Sequence, residues 1–263
     1  MKLKGKSAIV TGGGSGIGRA ICTSFVREGA KVIIADINLE GAKNTIELIN
    51  TEEKQHSAIA VRADVTNPED AGAVVRAAVE NFGKVDILVN NAGGGGMGSV
   101  IDIDYAEWRR VTALNLDSIY LLSSHAIPEL KKSPNGRIIN VSSGMGLMAH
   151  KAGAPYSAAK AAAIHLTKQM ALDLGESRIT VNAICPGIIH TPLTEPGISI
   201  DEMRKWYINR TPLKRLGTPE DVASLSVFLA SDESSFITGA AIPIDGGITA
   251  GTDILLGPLS NIG

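Results

Sequence analysis

Cysteine is nearly missing from this chain. Cys22 and Cys185 lie far apart and neither has a CxxC partner, so a disulfide framework and a zinc ribbon are both excluded. The expectation is two buried free thiols in a reducing, cytoplasmic setting. Clustered histidine is lacking too: His56, His125, His150, His165 and His190 are scattered, with no metal-ligand spacing. Excess positive charge is also lacking. The net charge is −2, with acids and bases interspersed, and no basic stripe marks a nucleic-acid binder. No run approaches the ~20 apolar residues of a membrane span. The first residues, MKLKGKSAIVTGG, lead straight into a strand-like run without the apolar core of a signal peptide. What remains is a chain of 263 residues with 44% hydrophobic residues, enough for one large packed domain over residues 1–263.

Short β-branched runs alternate with helical patterns. Strands are expected at residues 8–11, 32–35, 58–61, 87–89, 137–141, 180–184 and 241–244. Helices are expected at 16–28, 39–51, 68–82, 105–131, 155–174 and 219–230. Asn67-Pro68-Glu69-Asp70 and Thr218-Pro219-Glu220-Asp221 each combine a cap residue, a proline at the first helical position and acids in the first turn. Alternation of this kind predicts an α/β fold, a doubly wound parallel sheet with helices on both faces. Residues 191–210 are less regular, with Pro192, Pro196 and Gly197 before a short helical pattern, and read as a lid.

Three features carry chemistry. The first is the turn in SAIVTGGGSGIGRAI, where Gly12-x-x-x-Gly16-x-Gly18 joins a strand to a helix. It departs from strict GxGxxG. Glycines there still let backbone N–H groups approach a pyrophosphate at a helix N-terminus. The second is Asp36, ending VIIAD, whose carboxylate suits ribose hydroxyls and repels a 2′-phosphate. Ser15 supplies no cation to offset that repulsion, so NAD is favoured over NADP. Asp64-Val65 and Asn90-Asn91-Ala92-Gly93 follow the next two strands of that half. The third is Ser143, thirteen positions before Tyr156, which is four before Lys160. Positions i and i+4 share a helix face. An ammonium beside a phenol favours the phenolate, and a serine hydroxyl can hold the oxygen that exchanges the proton.

Together, in this order, these motifs resemble the short-chain dehydrogenase/reductase family over nearly the whole chain. The resemblance rests on TGGGSGIG, Asp36, Asp64-Val65, NNAG, Asn115 in LNLDS, Ser143, YSAAK, PGIIHT from Pro186 to Thr191, and DGG at 245–247. It implies a Rossmann-like sheet of seven parallel strands and hydride transfer between a nicotinamide and a carbinol carbon. It implies Tyr156 as acid/base, with Lys160 lowering its pKa and bonding the nicotinamide ribose. Ser143 would hold the reacting oxygen, and Asn115 would hold a proton-relay water through its helix backbone. Gly12, Ser15, Gly16, Ile17, Gly18, Asp36, Asp64, Val65, Asn91, Ala92, Gly93, Tyr156, Lys160, Gly187, Ile189 and Thr191 would line the NAD site, with Ile189 and Thr191 against the carboxamide. Ser142 is the rival for the serine role.

The family pattern has two departures here. Ser118 stands where glycine is common, and NNAG runs on into Gly94–Gly96, which would widen the substrate cleft. Met97, Met145, Met148, Leu193, Trp206 and Tyr207 suggest an uncharged or bulky hydrophobic small-molecule alcohol or ketone. His150 and His190 read as solvated. The alanine-rich helix YSAAKAAAIHLTKQMALDL and the family point to a homotetramer, with the apolar tail at 251–263 covering a neighbour. Two rival readings stand beside an NAD-dependent alcohol dehydrogenase. One is an NADPH-dependent 3-oxoacyl reductase, which Asp36 and Ser15 disfavour. The other is a non-catalytic nucleotide-binding regulator, which would not need Asn115, Ser143, Tyr156 and Lys160 together.

Overall fold

Seven parallel strands run through the centre of the computed structural model, which describes residues 1–53 and 57–251. The strands are β1 (Ser7–Thr11), β2 (Lys31–Asp36), β3 (Ala58–Arg62), β4 (Ile87–Asn90), β5 (Arg137–Val141), β6 (Thr180–Pro186) and β7 (Ala241–Ile244). Every residue of β1, β4, β5 and β6 is buried. Strands covered on both faces carry continuous rather than alternating apolar sequence, which is why SAIVT and ILVN form them. The sheet order is β3-β2-β1-β4-β5-β6-β7. Direction reverses between β1 and β4, and a crevice opens at such a switch point beyond the strand C-termini.

On one face lie α1 (Gly16–Arg27), α2 (Leu39–Glu53) and α9 (Pro219–Ala230), burying Ile21, Phe25, Ile49, Val222 and Leu229. On the other lie α3 (Pro68–Phe82), α5 (Ser118–Leu130) and α6 (Ala154–Leu174), burying Val74, Leu122, Leu130, Met170 and Leu174. The start signals behave as read. Asn67 accepts hydrogen bonds from the Glu69 and Asp70 backbone N–H groups. Thr218 and Asp221 form a reciprocal capping box. A two-pronged Arg215 contact to Asp221 (2.6 and 2.8 Å) draws that carboxyl down to about 2.

The helix expected at 105–131 is not continuous. It breaks into α4 (Tyr105–Thr112), a π turn (Ala113–Asp117) and α5. Asn115 sits in the π turn and its Nδ2 donates to the Val111 carbonyl at 2.9 Å, competing with the backbone ladder. The irregular stretch 191–210 contains α7 (Glu195–Ile198) and α8 (Asp201–Arg210). No residue of α8 is buried. Residues 252–263 of the tail lie outside the described residues. No described helix is long and apolar enough to cross a membrane.

Candidate active site

The crevice beyond β1 and β4 holds a groove of about 350 Å³. Asp36, Ile37, Ala63, Asp64 and Val65 form one end, and Ser143, Tyr156 and Lys160 the other, with the glycine turn between them. Every catalytic and cofactor-binding residue expected from sequence lines this groove except Asn115; of the apolar side chains expected to line the substrate cleft, Leu193 does and Met97, Met145, Met148, Trp206 and Tyr207 do not. Asn115 lies just behind it: Nδ2 donates to the Gly94 carbonyl at 3.0 Å, and Oδ1 accepts from Gly94 N at 3.3 Å.

Bare backbone is what the glycine turn supplies. Gly12 has φ +64°, a left-handed conformation that glycine adopts freely. A Cβ on Gly18 would collide with the Gly12 carbonyl, so helix α1 begins in backbone contact with the turn. Three side chains lock it. Asn91 Nδ2 donates to the Thr11 and Gly12 carbonyls at 2.9 and 3.2 Å. Thr45 Oγ1 donates to Gly13 O at 3.0 Å, and Arg19 Nη2 to Gly14 O. Sequence reasoning missed Thr11, whose Oγ1 accepts from Asn91 N and Ala92 N (3.0 and 2.9 Å) and joins the two loops. It also missed Pro192 along the wall, where Leu193 and Thr194, from the stretch read as cleft lining, stand beside it.

Asp36 is held from two sides. Oδ2 accepts from Gly14 N and Oδ1 from Asn38 N, both at 2.8 Å. Each oxygen keeps an acceptor site beyond that bond, enough for a pair of ribose hydroxyls. Among the described lining residues Lys160 is the sole cation, and it stands at the far end. Arg19, close in sequence to the turn, spends its guanidinium on Gly14 O and Thr45 Oγ1. At the neighbouring strand end, Asp64 accepts from Thr66 N and Oγ1, and these bonds hold its carboxyl below the usual range.

At the other end, Ser143 rather than Ser142 meets the phenol. The Ser143 hydroxyl acts on the Tyr156 phenol and favours its ionised form, and its Oγ accepts from Met145 N at 3.1 Å. Ser142 is buried and donates to the Lys160 carbonyl at 2.8 Å. The Lys160 ammonium stands 5.6 Å from the Tyr156 ring centroid and donates to Val141 O at 2.9 Å. The expected downward shift of the phenol is not the net result in this geometry. Burial pushes Tyr156 up from its ordinary value, and the Ser143 hydroxyl opposes it. Lys160 as a whole is only 4% exposed, and this burial lowers its ammonium from 10.5 to about 8.

That burial has a measurable cost. The folded pKa lies below the unfolded one, so the unfolded chain binds more protons between pH 8 and 10.5, and stability rises with pH across that window. Below pH 8 the whole penalty stands, on the order of 3 kcal/mol at about 1.4 kcal/mol per unit. Lys160→Met removes it and gives up one hydrogen bond, roughly 1 kcal/mol. The variant is therefore expected to melt several degrees higher at pH 7, the gain vanishing by about pH 10.5. A melting midpoint at pH 7 equal to or below that of the natural chain would contradict this.

The remaining candidates fall around the rim. Ser118, in place of the usual glycine, turns its hydroxyl back onto Leu114 O at 2.7 Å. Gly94 and Gly96 lie flat against Leu114 and Val111, where a Cβ would crowd either side chain. Met97, Met148, Leu193 and Trp206 are exposed, while His190 pairs with Glu195 at 2.6 Å and His150 stays at the surface. Both cysteines are buried and free, and burial raises both thiols, Cys185 to about 11. Among the described residues no group of histidine, cysteine and carboxylate side chains could hold a metal ion.

Comparison with known proteins agrees with this arrangement. A family model described as enoyl-(acyl carrier protein) reductase matches residues 12–249. The 7alpha-hydroxysteroid dehydrogenase of Escherichia coli (strain K12) is 38% identical over 247 residues, covering 94% of this chain and 95% of the other. A 3-oxoacyl-[acyl-carrier-protein] reductase of Thermotoga maritima is 38% identical over 253 residues, covering 94% and 99%. A solved 7 alpha-hydroxysteroid dehydrogenase, complexed with NADH and 7-oxo glycochenodeoxycholic acid, superimposes with a TM-score of 0.89 at 39% identity, covering 94% and 95%. With its sheet order, its glycine turn and its serine–tyrosine–lysine cluster, the chain belongs to the short-chain dehydrogenase/reductase family.

Proposed function

We propose that the protein is an NAD-dependent oxidoreductase that interconverts a secondary alcohol and its ketone. The observation that carries this is the placing of Ser143, Tyr156 and Lys160 at one end of a groove whose other end is Asp36. The residues fit a dinucleotide: a bare glycine turn at a helix N-terminus for the diphosphate, and a fixed carboxylate, with no cation among the described lining residues at its end of the groove, for the adenosine ribose. Gly187, Ile189 and Thr191 would flank the nicotinamide, whose ring, when bound, supplies the hydride chemistry.

The chain's own residues handle the proton. Tyr156 takes it from the alcohol as phenolate, or returns it to the ketone oxygen as phenol. Ser143, whose hydroxyl acts on the phenol, holds the substrate oxygen beside it. The Lys160 ammonium would support the phenolate and, as the family resemblance implies, would hydrogen-bond the nicotinamide ribose. Asn115 ties the Gly94 turn to the π turn; the relay through its backbone comes from the family resemblance. The exposed Met148, Leu193 and Trp206 favour an uncharged or bulky hydrophobic substrate.

The test is a panel of steroid, cyclic, sugar and hydroxyacyl alcohols with NAD or NADP, read as reduced-cofactor absorbance. The expected outcome is NAD-linked oxidation of cyclic or steroid alcohols, with sugars poor. Activity confined to hydroxyacyl thioesters with NADP would favour the 3-oxoacyl reductase instead.

A further inference from the structure

Lys160 is held at both of its ends by two successive residues of the β5 exit. Its Nζ donates to the Val141 carbonyl at 2.9 Å, and its own carbonyl accepts from Ser142 Oγ at 2.8 Å, both in the interior. Inside a helix that carbonyl already serves the residue four positions on, so the serine bond is an addition that fixes where this turn of α6 sits. A second contact acts on the same spot. A Cβ built on Gly146 would stand 2.8 Å from both C and O of Lys160 and 3.0 Å from Ile164 Cδ1. Backbone atoms cannot yield as a flexible side-chain end can, so residues 144–146 approach α6 closely only because residue 146 has no side chain.

We propose that Ser142 and Gly146 are positioning residues that seat the Lys160 backbone and thereby set the distance of its ammonium from the Tyr156 phenol. The proposal rests on the reading of Tyr156 as acid/base and Lys160 as its electrostatic partner. It adds what places that partner. Deeper along α6, Asn140 Nδ2 donates to Thr167 Oγ1 at 2.9 Å, and Met170 and Leu174 are buried in the sheet-facing core. That second anchor keeps α6 docked when the Ser142 bond is lost, so the consequence falls on the Lys160 turn. The titratable groups acting on the ammonium are Tyr156 on the same helix and Cys185 on β6. Asp245, after β7, acts in turn on the Cys185 thiol.

The experiment follows tyrosinate absorbance against pH in the full-length protein with saturating NAD, subtracting Tyr156→Phe to isolate the one phenol. It compares the natural chain with Ser142→Ala, Ser142→Thr, Gly146→Ala and Lys160→Met. In parallel, kcat is measured on the best alcohol of the panel above. Ser142→Ala and Gly146→Ala are expected to raise the Tyr156 midpoint by about half a unit or more and lower kcat about tenfold, while Ser142→Thr restores both. A Lys160→Met midpoint that moves while the Ser142→Ala and Gly146→Ala midpoints and kcat match the natural chain overturns the seat alone. A Lys160→Met midpoint that does not move overturns the phenol–ammonium pairing and the seat with it. If Gly146→Ala does not fold, the Ser142 pair decides.

Discussion

Tyr156→Phe is expected to lower kcat by about 10²- to 10⁴-fold, the span that one positioned acid/base contributes. The substitution removes a single oxygen. It takes away the hydroxyl on which Ser143 acts, which is also the proton carrier, and leaves the ring beside the Lys160 ammonium. The groove walls that would grip the cofactor are backbone and Asp36, so NAD affinity by fluorescence titration should stay within about threefold. Stability should change by about 1 kcal/mol or less, the net worth of one hydrogen bond. Ser143→Ala should behave similarly but more mildly, because Tyr156 remains to exchange the proton. A Tyr156→Phe protein with turnover within tenfold of the natural chain would remove the phenol from the chemistry, and with it the central step of the proposed function.

Much of this was legible in the chain itself, for physical reasons that can be named. The strands could be read because parallel strands buried on both faces need β-branched runs such as KVIIAD and RIINV. Two helix starts could be read because Asn67 and Thr218 cap through bonds two or three residues away. Interactions that close over short sequence distances leave short sequence signatures. The π turn at Ala113–Asp117 left none, since one wide turn does not disturb the apolar periodicity around it.

The site residues were legible as a set, because fixed spacing on a helix and fixed placement at strand ends bring them together. Their detailed bonding was not. Nothing near Asp36 in sequence announces that Gly14 N will meet its carboxylate, since that bond spans 22 positions across two loops. Tyr156 and Lys160 at i and i+4 suggested a phenol held acidic by its neighbour. Burial, which sequence spacing does not measure, pushes the phenol the other way, and the ammonium turns to Val141 O. The two serines show the same division: the spacing pointed to Ser143, and only the packing revealed that Ser142 grips the lysine backbone.

The second large effect concerns Asp36. In the natural chain a 2′-phosphate would bring a dianion against this carboxylate, a like-charge clash worth several kcal/mol. At 1.4 kcal/mol per tenfold, that amounts to a factor of about 10² to 10³ in favour of NAD. Replacing Asp36 by Ser together with Ile37 by Arg removes the clash and adds a guanidinium suited to phosphate. The ratio of kcat/KM for NADP over NAD is expected to rise by about 10³-fold or more. Most of the change should appear in KM, since the adenosine end lies away from the reacting atoms. The exchange has a second consequence that ribose contacts alone would not produce. Gly14 N and Asn38 N both donate to the Asp36 carboxylate, and a serine hydroxyl can accept from only one of them at full strength. The glycine turn should therefore loosen, so that the double variant binds NADP less tightly than the natural chain binds NAD. Asp36→Asn, which keeps an acceptor oxygen but not the charge, should relax the preference without reversing it. A natural chain that already turns over NADP as well as NAD, or a double variant whose ratio stays within tenfold of the original, would show that Asp36 serves the loop and not the choice of cofactor.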